Sequence, residues 1–144
     1  MDISIFLYPT KIIPITISIV SIIILILKRK KITPNTYQSN IWVSALVFFI
    51  LYFLIIFIST SQGIYYWSVY HSFDVNQNGF IDVIEKTAAF YEIEKKVLHD
   101  TARNFAFITG AILAFIVAVF VLLVGFIKTF FLAKMKKKKQ HTFN

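Results

Sequence analysis

Ile41-Trp42-Val43-Ser44-Ala45-Leu46-Val47-Phe48-Phe49-Ile50-Leu51-Tyr52-Phe53-Leu54-Ile55-Ile56-Phe57-Ile58-Ser59-Thr60 is a run of twenty residues without a charge. Coiled as a helix it extends about 30 Å, at about 1.5 Å per residue. That is the thickness of a bilayer's hydrocarbon core. Trp42 and Tyr52 are its polar-tipped aromatics, and Trp42 lies where an interface anchor would. Two more such runs flank it. Residues 105–127 are twenty-three uncharged residues, and residues 12–27 are sixteen. The sixteen span only about 24 Å. The mostly apolar residues 3–10 lengthen that helix, and Lys11 can snorkel its ammonium to the interface. Pro14 falls near the same end, where a proline is tolerated or makes a kink.

Composition agrees with three membrane helices. The 144 residues are 58% hydrophobic and 15% charged, against about 45–50% and about 25% in soluble domains. One small core cannot hide that much apolar surface. The first run is not patterned as a signal peptide, which carries positive charge before its apolar region and small residues after it. Here Asp2 precedes and Lys28-Arg29-Lys30-Lys31 follows, so a retained anchor is expected. The absence of cysteine excludes disulfides, cysteine-ligated zinc, iron–sulfur clusters and thiol catalysis.

Charge then sets an orientation. Residues 28–40 hold four positive charges and no acid. The tail from Lys128 holds six lysines and no acid. Residues 61–104 hold six acids against four bases. Positive loops stay cytoplasmic. The tail is therefore expected inside, with the N-terminus and residues 61–104 outside. The net charge of +8 is explained by these two membrane-flanking clusters, so no nucleic-acid partner is expected. The partner of the clusters is the lipid bilayer, where each lysine near an anionic surface gains about 1 kcal/mol.

Between the second and third runs stands Phe73-Asp74-Val75-Asn76-Gln77-Asn78-Gly79-Phe80-Ile81-Asp82-Val83-Ile84-Glu85. Counted from Asp74, oxygen-bearing side chains fall at positions 1, 3, 5, 9 and 12: Asp74, Asn76, Asn78, Asp82 and Glu85. Calcium takes about six to eight oxygens at about 2.3–2.6 Å, and this alternation aims oxygens at one centre. Phe80 supplies only its backbone carbonyl. Gly79 allows a turn that other residues resist. Asp82 at such a position would act through a water, and Glu85 would close the shell with two oxygens. Tyr70 and Phe73 give an incoming helix over 62–73 an aromatic face. Residues 83–100 lack Gly and Pro and are expected as one exiting helix, with Ala89, Phe90, Ile93 and Val97 on one face.

Residues 62–98 resemble the EF-hand calcium-binding family, because every constrained position of its loop is met. The resemblance implies a Ca²⁺ cofactor held by Asp74, Asn76, Asn78, Phe80, Asp82 and Glu85. Two departures stand out. EF-hands usually pair through position 8, here Ile81, and this chain has no second loop. Lys86 stands where the family has an apolar residue. Pairing then falls to a second copy, or the hand stands alone against the membrane helices. With three formal charges among the ligands and no paired loop, the expected affinity is weak, roughly 10⁻⁵–10⁻³ M.

Other candidates carry less. His71 and His99 bracket the loop without ligand spacing. Glu92 and Glu94 point apart on a helix. Lys95, Lys96 and Arg103 read as solvent or headgroup contacts. No catalytic constellation or phosphate-cradling glycine loop is present, so no enzyme is expected. The membrane runs hold no ionisable residue to line an independent ion pathway. Ala102, Ala106, Gly110, Ala114 and Ala118 recur every four residues, a small-residue ridge that lets helices approach closely. Its partner is helix two of the same chain, a second copy in a homodimer, or another membrane protein.

The expected fold is all-α, with three transmembrane helices and one EF-hand helix–loop–helix between the second and third. Residues 1–60 carry the first two membrane helices and their basic loop. Residues 61–104 form the extracytoplasmic EF-hand segment, and 105–144 the third membrane helix and cytoplasmic tail. The expected function is a calcium-binding integral membrane protein of accessory or structural type. The alternative is a small subunit of a larger membrane complex, in which the loop segment docks a partner.

Overall fold

The computed structural model describes residues 9–34 and 36–141, with side chains over 11–34 and 36–135. Asp2 and the apolar residues 3–8, expected to lengthen the first helix, lie outside it. The described residues form five α-helices: α1 (Pro9–Lys28), α2 (Tyr37–His71), α3 (Ala88–Leu98), α4 (Thr101–Asn104) and α5 (Ala106–His141). Short 3₁₀ turns occupy Arg29–Lys31 and Val83–Glu85, and no strand occurs among the described residues. The all-α expectation and the three long apolar helices are therefore found. Three helices are long and apolar enough to cross a membrane. Only 6%, 17% and 17% of their most apolar windows are buried within the chain, so the chain itself leaves most of that apolar surface uncovered.

Two helical boundaries differ from expectation. The second membrane run and the incoming helix expected over 62–73 are one helix, α2, ending at His71. No proline interrupts it, and the hydroxyls at its expected break turn back onto its own carbonyls. Thr60 Oγ1 donates to Ile56 O at 2.8 Å and Ser61 Oγ to Phe57 O at 2.9 Å. The single exiting helix expected over 83–100 is instead divided into the 3₁₀ turn, α3 and α4. The causes are capping residues that offer a backbone amide a partner outside the helix. Thr87 Oγ1 accepts from Phe90 N at 3.3 Å to start α3, and Asp100 Oδ1 accepts from Arg103 N at 3.0 Å to start α4.

The chain divides into two compact units. The first comprises Met1–Thr16 and Phe53–Gly110. Its extramembrane core is Phe90, 1% exposed, with the rings of Tyr70 and Phe73 at 5.4 and 5.7 Å. Of the face expected on the exiting helix, Phe90 and Val97 are buried, Ile93 is half-buried and Ala89 is exposed. Lower in this unit, Ala106 and Gly110 are buried on α5, and Gly110 lies against Ile55 of α2.

The second unit comprises Ile17–Tyr52 and Ala111–Asn144. Ser44 Oγ donates to Ala118 O at 2.7 Å, beside fully buried Ala114. The small-residue ridge here faces α2 of the same chain. Asn40 Nδ2 donates to Thr129 Oγ1 at 2.8 Å and packs on Gly125, which the four-residue ridge does not include. Trp42, expected as an interface anchor, is 9% exposed. Its Nε1 donates to Leu25 O at 2.8 Å, and the Arg29 guanidinium stands 5.0 Å from its ring. It ties α1 to α2 because an indole N–H in an apolar setting needs an acceptor.

Candidate metal centre

α2 delivers the chain to residue 74, and the 3₁₀ turn Val83–Glu85 receives it. Between them the backbone is held by side-chain oxygens turned onto amide groups of the same loop. Asp74 Oδ1 accepts from Asn78 N at 3.1 Å, and its Oδ2 from Gly79 N at 2.9 Å. Asn76 Oδ1 accepts from Asn78 N at 3.0 Å, and Asn78 Oδ1 from Phe80 N at 2.8 Å. Asp82 Oδ2 accepts from both side-chain amides, Asn76 Nδ2 at 2.8 Å and Asn78 Nδ2 at 3.0 Å. Glu85 reaches back ten residues. Its Oε1 accepts from Val75 N at 2.9 Å and Asn76 N at 3.2 Å, and its Oε2 from Asp82 N at 2.9 Å.

The five expected side-chain ligands thus belong to one hydrogen-bonded loop. Phe80 enters through its backbone N–H, which donates to Asn78 Oδ1, rather than through the carbonyl expected as a ligand, and its side chain is exposed. Gly79 has φ +85°, the left-handed region expected for it, and Gln77 shares that region at φ 57°. A Cβ on Gly79 would meet nothing within 4 Å, so conformation rather than space demands glycine there. Gly79→Ala is expected to destabilise the loop by about 1–2 kcal/mol and to speed proteolysis of residues 74–85. Equal cleavage rates in the variant and the parent would show that the turn tolerates a side chain.

The donor set is all oxygen, the choice of a hard cation. The carboxylates are not gathered on one point, however. Among the described residues, no three His, Cys, Asp or Glu side chains form a group that could hold an ion. Each carboxylate instead takes N–H donors as its neighbours. The groups are oxygen donors, the kind that calcium takes, but the described residues do not bring their carboxylates together as a metal-holding group.

Of the histidines, His71 faces its own helix, its Nδ1 3.0 Å from Trp67 O and its ring 3.9 Å from that indole. Arg103, expected at the surface, is 4% exposed. Sequence reasoning missed it, and no local signal marks a lone arginine as buried. No protein-family model, curated protein or solved structure matches the chain.

Proposed function

We propose that the protein is a calcium-binding integral membrane protein of accessory or structural type, in which the ion orders the segment between α2 and α3. The observation that supports this reading is the loop of residues 74–85. Five oxygen-bearing side chains at EF-hand spacing lie in one hydrogen-bonded turn around a left-handed Gly79. Asp74, Asn76, Asn78, Asp82 and Glu85 would hold the ion with their side chains, and Phe80 with its carbonyl. Bound calcium supplies two positive charges that offset the mutual repulsion of the three carboxylates. Weak affinity suits a non-cytoplasmic compartment rich in calcium, where the site stays loaded and acts as a fastener. Titration calorimetry of the purified protein should show one saturable site per chain with millimolar calcium. Absence of saturable heat in that range would remove this reading.

The charge distribution supports a loop on the outside and a lysine tail on the inside. A cysteine introduced at Gln77 is expected to react with an impermeant thiol reagent on intact cells, and one at Gln140 is not. The opposite pattern would reverse the orientation and remove the argument from high external calcium.

One observation favours the small-subunit reading. Val75, Phe80, Val83 and Ile84 are each at least 76% exposed, an apolar set around the loop that a partner protein would cover. Stoichiometric co-purification of another membrane protein would support it. Calcium-dependent protection of the isolated chain from proteases supports the first reading.

A further inference from the structure

The basic residues between α1 and α2 have no acidic side chain in their own unit. Residues 17–52 and 111–144, which make the second unit, contain no Asp or Glu. Arg29 stands among Lys28, Lys30 and Lys31, so its charged neighbours along the chain repel it. It is exposed, and its guanidinium lies 5.0 Å from the centre of the Trp42 ring, within the range of a cation–π contact. Trp42 is a fixed platform, being 9% exposed with its Nε1 donating to Leu25 O at 2.8 Å. A guanidinium stacked on a ring keeps N–H groups at its edge, where two of them can take two oxygens of one anion.

Arg29 and Trp42 line a cavity of about 230 Å³ together with Ile32, Pro34, Ser39 and Val43. Ile32, Pro34 and Val43 give it an apolar wall, and Ser39 adds a hydroxyl. Arg29 follows the first apolar run by two residues, and Val43 belongs to the second, so the cavity lies where apolar chain gives way to basic chain. We propose that this cavity binds the headgroup of an anionic phospholipid. The Arg29 guanidinium takes the phosphodiester oxygens, and the apolar wall takes the adjoining hydrocarbon. A zwitterionic choline lipid is disfavoured, because its ammonium would join a cluster of like charges at Lys28, Lys30 and Lys31. Free inorganic phosphate is disfavoured, because it leaves the apolar wall uncovered. The site is narrower than the diffuse attraction of lysines to an anionic surface, since it depends on one arginine and takes one lipid.

The test uses the full chain in neutral detergent with a calcium chelator, so that its outcome is independent of the metal site. Trp67→Phe leaves Trp42 as the only tryptophan. Its emission is followed at about 0.5 M salt, which screens diffuse surface attraction. Phosphatidylglycerol is expected to change the emission saturably, with half-saturation about tenfold or more below that of phosphatidylcholine. Diacylglycerol, which lacks phosphate, and sodium phosphate, which lacks hydrocarbon, should leave it unchanged. Arg29→Gln should weaken phosphatidylglycerol binding by about tenfold or more. Lys31→Gln removes the same charge from a residue that does not line the cavity and should cost less than about twofold in this salt. Ser39→Asp sets a carboxylate in the first turn of α2, where a helix accepts an acid, and should weaken binding as Arg29→Gln does. No saturable response to phosphatidylglycerol, equal half-saturation with phosphatidylcholine, a response to sodium phosphate or diacylglycerol, or equal losses in Arg29→Gln and Lys31→Gln would each overturn the proposal. Should Arg29→Gln fail to fold, undiminished binding in Ser39→Asp overturns it. Should Trp67→Phe fail to fold, the Tm of the parent chain reads the same lipids, and each outcome keeps its meaning.

Discussion

Glu85→Gln is expected to weaken calcium binding by about tenfold or more, which corresponds to about 1.4 kcal/mol per decade. Val75→Ala should leave the affinity nearly unchanged. The difference rests on what each residue gives the loop. Glu85 carries one of the three formal charges and is the residue expected to bind the ion through both oxygens. Its two oxygens also accept from Val75 N, Asn76 N and Asp82 N. Glutamine replaces one of those acceptors with an NH₂ donor, so at least one backbone N–H then faces another donor. Binding and the organisation of the free loop are both weakened. Val75 contributes its backbone N–H, which alanine keeps, and its side chain is exposed. Magnesium should substitute poorly in the parent, because it demands octahedral geometry at about 2.0–2.1 Å and gives up water reluctantly. Calorimetric titration of the two variants under one buffer measures the effect. Equal affinities for Glu85→Gln and the parent would remove Glu85 from the site.

The second large effect lies in the membrane helices. Gly110→Leu is expected to destabilise the first unit by about 1–3 kcal/mol, the usual cost of overpacking. A Cβ at residue 110 would stand 2.8 Å from Ile55 Cγ2 and 3.4 Å from Ile55 Cβ. Isoleucine is branched at Cβ and stiff at χ1, so it cannot swing aside cheaply. Leucine adds three further carbons to that contact. Helix propensity acts the other way by about 0.8–1.0 kcal/mol, since glycine is the poorer helix former, and this gain is smaller than the upper range of the clash. Ile112→Leu, at an exposed position of the same helix, should be nearly silent. Unfolding in mixed detergent and dodecyl sulfate, followed by helicity, reads both variants. Matching midpoints for Gly110→Leu and the parent would mean that α2 and α5 can separate without loss.

The site was legible to the extent that it is local. Asp74, Asn76, Asn78, Asp82 and Glu85 act within twelve residues, so their spacing shows in the sequence which side chains share a turn. The left-handed conformation at Gly79 belongs to the same local grammar. The hydrogen bonds that turn each carboxylate to an amide were not legible, because spacing says which side chains share a turn and not which N–H each oxygen accepts. The division of residues 83–100 was partly legible. Thr87 and Asp100 are good N-caps, and a reading based on the absence of Gly and Pro passes over them.

By itself the sequence determined that the chain is all-α and that three of its helices are long and apolar enough to cross a bilayer. Uncharged length can be compared directly with bilayer thickness, with no knowledge of which helix touches which. It also placed Tyr70 and Phe73 on one face of the incoming segment and Phe90 on one face of the exiting one, whereas that their rings meet was decided by the tertiary structure. Tertiary structure alone decided that Trp42 turns to Leu25, that Asn40 meets Thr129 beside Gly125, and that Ser44 meets the Ala118 carbonyl. It alone decided that Arg103 is buried. These partners lie 17, 89 and 74 residues apart for the three hydrogen bonds. Periodicity reports only which side of a helix is apolar. In a membrane helix nearly every side is apolar, so the faces that pack are chosen by small residues and by polar groups seeking partners, and those choices exist only once the helices have met.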